Sequence, residues 1–323
     1  MVQTVLRVLA PTVRACLQRM PSGWAERIEE IRMRARRPLE VVTADGFAFV
    51  SPDGRPVVRP QGAYHVSEED CLQTLNLLSH YSLYAFEEEV QRGFVTVAGG
   101  HRVGLVGKAV VENGRVRHLR DIAGFNVRIA RERPGAAKGV LPLLLTGGRL
   151  LSTMIVSPPQ CGKTTLLRDL VRMVSNGVPE LGLCPRKVGV VDERSEIAGC
   201  VRGVPTLDVG VRTDVLDGCP KAEGMMMMIR AMSPEVLVTD ELGRREDALA
   251  VQEAAGAGVV LLVTAHGQDL NDVARRPVLS AIVQSGAFDR FVVLSRRKGP
   301  GTVEGVYDGQ FRRLAREAIP CSS

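Results

Sequence analysis

The segment Ser157-Pro-Pro-Gln-Cys-Gly162-Lys163-Thr164-Thr165 contains the residue types that hold a polyphosphate. A loop of the pattern GxxxxGK[ST], set between a strand and a helix, turns its backbone N–H groups inward around phosphate oxygens. Gly162 lets the chain approach closely, Lys163 brings a mobile cation to the β- and γ-phosphates, and Thr164 offers a hydroxyl to Mg²⁺. The helix that follows, running on from Thr165, points its positive dipole end at the same group. One position departs from the pattern, because Ser157 stands where the first glycine is usual. Serine is tolerable there if its φ stays negative. Pro158 and Pro159 have no N–H, so phosphate contacts fall to Gln160, Cys161, Gly162, Lys163, Thr164 and Thr165.

Carboxylates recur at the ends of apolar runs further along. Pro234-Glu-Val-Leu-Val-Thr-Asp240-Glu241 closes one run with two acids. Opposite a phosphate loop, Asp240 suits Mg²⁺ and Glu241 suits orienting and deprotonating an attacking water. Neighbouring residues at a strand end point different ways, which allows that division of labour. Val190-Val-Asp192-Glu193-Arg194-Ser-Glu196 places further acids at another strand end. Asp192 or Glu193 suits a place beside the metal and γ-phosphate, and spacing does not choose between them. The competing reading is a solvated turn with an Arg–Glu pair. Residues 259–266 end in His266, placed to hydrogen-bond a γ-phosphate, whereas Met225 to Met228 read as helix packing.

These groups need a scaffold that delivers strand ends to one edge. After residue 149, strands are expected at residues 151–156, 187–192, 235–240, 259–265 and 290–294. Helices are expected between them, at residues 163–174, 222–232, 246–255 and 271–284. Apolar strands alternating with helices predict a mainly parallel sheet covered on both faces, with ligands at its carboxyl edge. The first half reads differently. Hairpin signals at Asp45-Gly46, Gly99-Gly100 and Asn113-Gly114 separate short strands, at residues 39–43, 47–50, 93–98, 102–111, 115–119 and 125–131. Residues 28–36 are ambiguous between strand and helix end. Ser67-Glu-Glu-Asp70 opens a helix with Leu72, Leu75 and Leu78 at helical spacing. The expected organisation is an α+β domain over residues 1–134, a Gly/Pro-rich linker over 135–148, and an α/β phosphate-loop domain over 149–323.

Composition narrows the class. The 323 residues are 45% hydrophobic and 24% charged, a globular balance with no apolar run of membrane-spanning length. The N-terminus lacks a signal-peptide core, so export is not expected. Seven scattered cysteines without a CxxC pair argue against a zinc ribbon or disulfide framework and fit a reducing cytosol. The net charge of +6 lies mostly in residues 1–148, which hold 20 Lys/Arg against 15 Asp/Glu. A basic half could meet nucleic acid, but 4% aromatic content supplies few stacking surfaces.

Longer stretches carry a resemblance. VVDERSEIAG (190–199), DVGVRTDVLDGCPKAEGMMMMIRAMSPEVLVTDE (208–241) and TAHG (264–267) resemble the stage III sporulation protein AA family. EIRMRARRPLE (30–40), GGHRVGLVGKA (99–109) and FNVRIARE (125–132) do so in the first half. That family is similar to the type II/IV secretion-system ATPases, hexameric motors with a RecA-like domain behind a smaller N-terminal domain. The resemblance implies Lys163 and Thr164 as the Walker A pair and Asp240-Glu241 as Walker B, with Arg230 in its lead-in. Residues 192–196 become an acidic box, His266 a histidine box, and Arg128 and Arg131 the arginines that reach nucleotide. It further implies ATP and Mg²⁺, a homo-oligomer and a place in the mother-cell cytoplasm. There the protein would dock on membrane-embedded sporulation proteins and energise a mother cell–forespore channel. Two alternatives stay open: a nucleic-acid-stimulated RecA-like ATPase, and a nucleotide-binding scaffold that does not hydrolyse.

Overall fold

The computed structural model describes residues 3–79, 93–112 and 114–314. They fall into two compact units, Met1–Ala130 and Arg131–Ser323.

The first unit opens with three short helices that the apolar pattern of the N-terminus did not announce: α1 (Gln3–Arg7), α2 (Pro11–Gln18) and α3 (Ser22–Ala25). Pro11 starts α2 where a missing N–H costs nothing, and Val13, Cys16 and Leu17 face the core. Seven antiparallel strands follow: β1 (Ile28–Arg34), β2 (Glu40–Thr43), β3 (Gly46–Val50), β4 (Pro56–Val57), β5 (Phe94–Val97), β6 (His101–Glu112) and β7 (Arg115–Arg128). Their order is β4-β3-β2-β1-β7-β6-β5. Helix α4 (Glu68–Ser79) precedes β5.

Local chemistry accounts for most of these elements. The ambiguity at residues 28–36 has a cause: a bulge between Ile28 and Glu30 shifts the strand's phase. Ile28, Ile31 and Met33 are therefore all buried despite their uneven spacing. The capping box forms as expected, with Asp70 N–H donating to Ser67 Oγ (3.0 Å) and Ser67 N–H to Asp70 Oδ2 (2.8 Å). The helix it opens turns inward on Cys71, Thr74 and Leu78, leaving Leu72 exposed. The two strands expected at 115–119 and 125–131 are one strand, β7, kept continuous through a register shift against β6. Buried in this unit, His101 Nδ1 accepts the Ala130 N–H (3.0 Å) and Nε2 lies 3.1 Å from Thr4 Oγ1. Since Nδ1 is the acceptor, the ring is neutral with its proton on Nε2.

In the second unit, residues 135–148 are not a free connection. Ala137, Val140, Leu141 and Leu144 are buried in the unit's core, and a short hairpin, β8 (Leu145–Thr146) and β9 (Arg149–Leu150), follows. The main sheet contains β10 (Thr153–Ser157), β11 (Val188–Asp192), β12 (Thr213–Asp217), β13 (Val236–Leu242), β14 (Val260–His266), β15 (Arg290–Ser295) and β16 (Thr302–Asp308). Its order is β12-β11-β13-β14-β10-β15-β16, parallel throughout except for antiparallel β16.

Helices α5 (Lys163–Asn176), α6 (Lys221–Met232), α7 (Arg245–Gly256), α8 (Leu270–Arg275) and α9 (Pro277–Gln284) cover the sheet. Alternation along β10 splits the core: Ile155 joins Leu167 and Leu170 of α5, whereas Met154 and Val156 join Met225, Val251 and Ile282. Met225 and Met228 are buried packing residues. The single helix expected at 271–284 breaks at Pro277, whose ring cannot continue α8. Asp169 of α5 accepts the N–H groups of Gly135 (3.0 Å) and Ala137 (2.8 Å) and pins the preceding segment to that helix. No helix among the described residues is long and apolar enough to cross a membrane.

Candidate functional site

Strand order alone brings the chemistry together. β14 lies between β10, which feeds the loop of residues 157–165, and β13, which carries the two acids. Ser157 is in register with His266 and Thr239 with Val263, so all three strands end at one edge.

The loop between β10 and α5 has two left-handed residues. Gln160 (φ 58°) and Gly162 (φ 83°) take left-handed conformations, which turn successive N–H groups to one side. Ser157 does not, so serine at that position carries no backbone strain. It is fully buried, and its hydroxyl donates to Pro158 O (2.8 Å). Lys163 begins α5, and its Nζ donates to the carbonyls of Ser157 and Pro158, both at 3.2 Å, and to His266 Nδ1 at 3.0 Å. Burial lowers the lysine's pKa, against the attraction of Glu241, Cys161 and Asp240. Thr164 and Thr165 are half-buried on the first turn of the same helix.

The acids occupy an irregularity in the sheet. The β13–β14 register shifts between Thr239 and Leu242, and Glu241 sits at φ 52°. A non-glycine residue in that region stores strain, and a bulge re-aims side chains, which separates the two carboxylates. Asp240 points inward and is 1% exposed; among the described residues its Oδ2 is buried without a hydrogen-bond partner. Burial pushes its carboxyl up to about 7, reinforced by Glu196, Asp192 and Glu241. Glu241 points outward, its N–H held by Thr264 Oγ1 at 2.8 Å. Its Oε1 lies 2.9 Å from His266 Nε2, and its Oε2 2.6 Å from Arg194 Nη1. Since Lys163 can only donate to Nδ1, the imidazole proton is on Nε2 and is donated to Glu241. Burial raises the Glu241 carboxyl, but Arg194, His266 and Lys163 outweigh it and hold the group below its ordinary value. One imidazole thus links the loop lysine to the candidate base.

The remaining predicted residues are distributed unequally. Asp192 is fully buried, and its two oxygens accept the N–H groups of Glu196 (2.8 Å), Ile197 (2.9 Å) and Ala198 (2.8 Å). That is a turn-holding role. Glu193 is at the rim, ion-paired with the buried Lys221 at the start of α6 and 3.7 Å from Arg244. Arg230 lies nine residues further along α6, about 14 Å at roughly 1.5 Å per residue, and is exposed near the opposite edge of the sheet. The structure does not bring it to the acids of its own chain. Arg128 lies on β7 in the first unit, paired in register with Glu30 and Arg102, and Arg131 begins the second unit.

Sequence reading missed Arg194, Thr264 and Lys221 as partners of the acids. Arg194 pairs with Glu241, which is remote in sequence, rather than with an acid of its own turn. The hairpin tip between β15 and β16 was missed too. Gly301 N–H donates to Cys161 O (2.9 Å), and Arg296 Nη1 lies 3.3 Å from Gln160 Oε1.

A divalent cation would be held here by few protein groups. No group of three or more His, Cys, Asp or Glu among the described residues forms a metal cage. The buried unpartnered oxygen of Asp240 and the Thr164 hydroxyl instead match an ion held by few protein groups, with phosphate and water completing its shell.

Parallel strands, a lysine-bearing loop and an acid pair two strands away define the fold of P-loop ATPases, and solved structures agree. The pilus retraction motor PilT with bound ADP aligns with a TM-score of 0.53 at 15% identity, over 82% of this chain and 74% of that one. The Yersinia pseudotuberculosis ATPase DotB aligns with a TM-score of 0.52 at 12% identity, over 82% and 70%. The chain belongs to the family described as Sporulation stage III, protein AA, whose model matches residues 2–314. It is 49% identical over 313 residues to Stage III sporulation protein AA of Bacillus subtilis (strain 168), covering 97% of both chains. A shorter match, 29% identity over 164 residues, covers 50% of this chain and 22% of Protein SEEDLING PLASTID DEVELOPMENT 1 of Arabidopsis thaliana.

Proposed function

We propose that the chain is a Mg-dependent ATPase that energises or assembles a mother cell–forespore channel during endospore formation. The observation that carries this reading is the hydrogen-bonded chain from Lys163 through His266 to Glu241. Lys163 and the N–H groups of Gln160 to Thr165 bind the β- and γ-phosphates. Glu241, ionised at neutral pH, orients the attacking water and takes its proton. His266 reports the γ-phosphate, since any anion that draws Lys163 away removes the donor from Nδ1. Thr164 and Asp240 would hold Mg²⁺, which screens charge developing on the phosphate oxygens.

The proposed organisation is an N-terminal domain over residues 1–134, a segment over 135–148 that packs into the core of the second unit, and an ATPase domain over 149–323. Arg128 and Arg131 are proposed nucleotide contacts; Glu193 is proposed to assist hydrolysis within its own chain, and Arg230, which lies away from the acids of that chain, only in the site of a neighbouring copy. The proposed partners are further copies of the chain in a hexameric ring and membrane-embedded sporulation proteins, met from the mother-cell cytoplasm. Family membership, and a fold shared with a solved pilus retraction motor over 82% of this chain, support this reading. Turnover of Mg-ATP by the full chain, with and without its membrane partner, tests the reading together with a mass measurement in solution. Turnover that rises with the partner and with a ring-sized species supports it. Absence of both binding and turnover in all conditions overturns it.

A further inference from the structure

We propose that Arg296, at the tip of the β15–β16 hairpin, is a second cation for the polyphosphate, contacting its α-side while Lys163 takes the β- and γ-side. The inference rests on the proposed nucleotide site and adds a residue to it. Strand order sets the direction of the bound polyphosphate. β10 has the acid-bearing strands on one flank, through β14, and the β15–β16 hairpin on the other. A polyphosphate whose γ end meets Lys163, His266 and Glu241 must therefore run its nucleoside end toward the hairpin.

The hairpin tip is fixed at the place where that end arrives. β15 pairs with β10 as far as Val156↔Val293, so the chain leaves β15 level with the phosphate loop. The Gly301 N–H to Cys161 O bond of 2.9 Å joins the two backbones. A Cβ added at Gly162 would meet Gly301 N at 3.0 Å and Gly301 Cα at 3.3 Å, so nothing separates tip from loop. Arg296 reaches the side chain of Gln160, the first loop residue with an N–H to offer a phosphate.

Charge then separates Arg296 from the adjacent Arg297. The tip reads Arg296-Arg297-Lys298, and Arg297 is committed to Glu304 at 3.3 Å. Among the described residues, Arg296 has no carboxylate within ion-pair distance; its contact is the neutral Gln160 amide. An exposed guanidinium held against a neutral acceptor keeps most of its planar donor fork for an anion. Because the α-phosphate is common to ATP and ADP, Arg296 supplies uniform binding: it lowers KM and leaves kcat unchanged.

Equilibrium titration of the full-length protein with Mg-ATP and Mg-ADP tests this, with steady-state turnover beside it. Arg296→Ala is expected to weaken both nucleotides by about tenfold, the scale of one charge-assisted hydrogen bond, with kcat retained. Arg296→Lys is expected to recover part of the loss. Gln160→Ala, which removes only the neutral anchor, is expected to cost less than Arg296→Ala. Equal affinity in wild type and Arg296→Ala overturns the inference and leaves the nucleotide reading standing. Equal losses in Arg296→Ala and Gln160→Ala also overturn it, since the arginine would then only brace the loop. If wild type binds neither nucleotide, both readings fall together.

Discussion

Protonating His101 is expected to loosen the first unit at mildly acidic pH. Burial holds this imidazole down at about 4, against an ordinary value of 6.5. A base with a depressed folded pKa binds its proton more readily in the unfolded chain. Its cost therefore appears as pH falls below 6.5 and levels off below 4. Linkage gives about 2 kcal/mol lost at pH 5 and about 3 kcal/mol at pH 4. The geometry agrees, because a protonated Nδ1 would turn a second donor against the Ala130 N–H. Nor can the ring back away easily: a Cβ on Gly99 would already lie 2.7 Å from its Nε2. Trp24, the sole tryptophan, packs against the core of this unit and reports its unfolding by fluorescence. Asp192 and Asp240, with carboxyls raised to about 6 and about 7, act with the opposite sign over an overlapping window. The decisive quantity is thus the difference between proteins in urea titrations at pH 7.5 and pH 5. His101→Asn keeps an acceptor for Ala130 but no basic group. Wild type should lose about 2 kcal/mol more than the variant on acidification. Parallel losses in the two proteins would rule His101 out as the source.

Two more perturbations address the second unit. Gly162→Ala forces a left-handed alanine, at about 1–2 kcal/mol, and a Cβ 3.0 Å from Gly301 N. It should lower the melting temperature modestly and abolish tight Mg-nucleotide binding; calorimetry showing wild-type affinity would contradict this. Asp169→Ala strips the acceptor from Gly135 N–H, Ala137 N–H and Arg172. It should cost about 3 kcal/mol in urea denaturation and speed proteolysis within residues 131–148. Unchanged stability would mean that Asp169 does not pin that segment.

How much of this molecule is legible in its sequence depends on where the information lies. The strand–loop–helix around residues 157–165 and the apolar strands ending near Asp240, Asp192 and His266 are local patterns, and each was readable by itself. β12 and β16 were not read, because edge strands carry mixed residues, with Gly305 inside one of them. Residues 135–148 carry the glycines and prolines of a linker, but their apolar members find a core that only the fold supplies. The break at Pro277 was legible, and a helical apolar rhythm on both sides masked it. At the site, Asp192 and Glu193 could not be told apart by spacing; three backbone N–H groups commit the first and Lys221 engages the second. The Glu241 bulge, the Arg194 pair and the Arg296 contact join residues far apart in the chain, and no local pattern announces them.

The proposed activity stands on Glu241 activating water over a phosphate held by Lys163. Single-turnover hydrolysis of Mg-ATP by Glu241→Gln, with binding measured on the same sample, puts that step to the test. The amide keeps the volume and the outward aim of the side chain but cannot take a proton. ATP affinity is expected to stay within a fewfold of wild type while the hydrolysis rate falls at least about 100-fold. Hydrolysis at the wild-type rate, with nucleotide bound, would remove Glu241 from the chemistry.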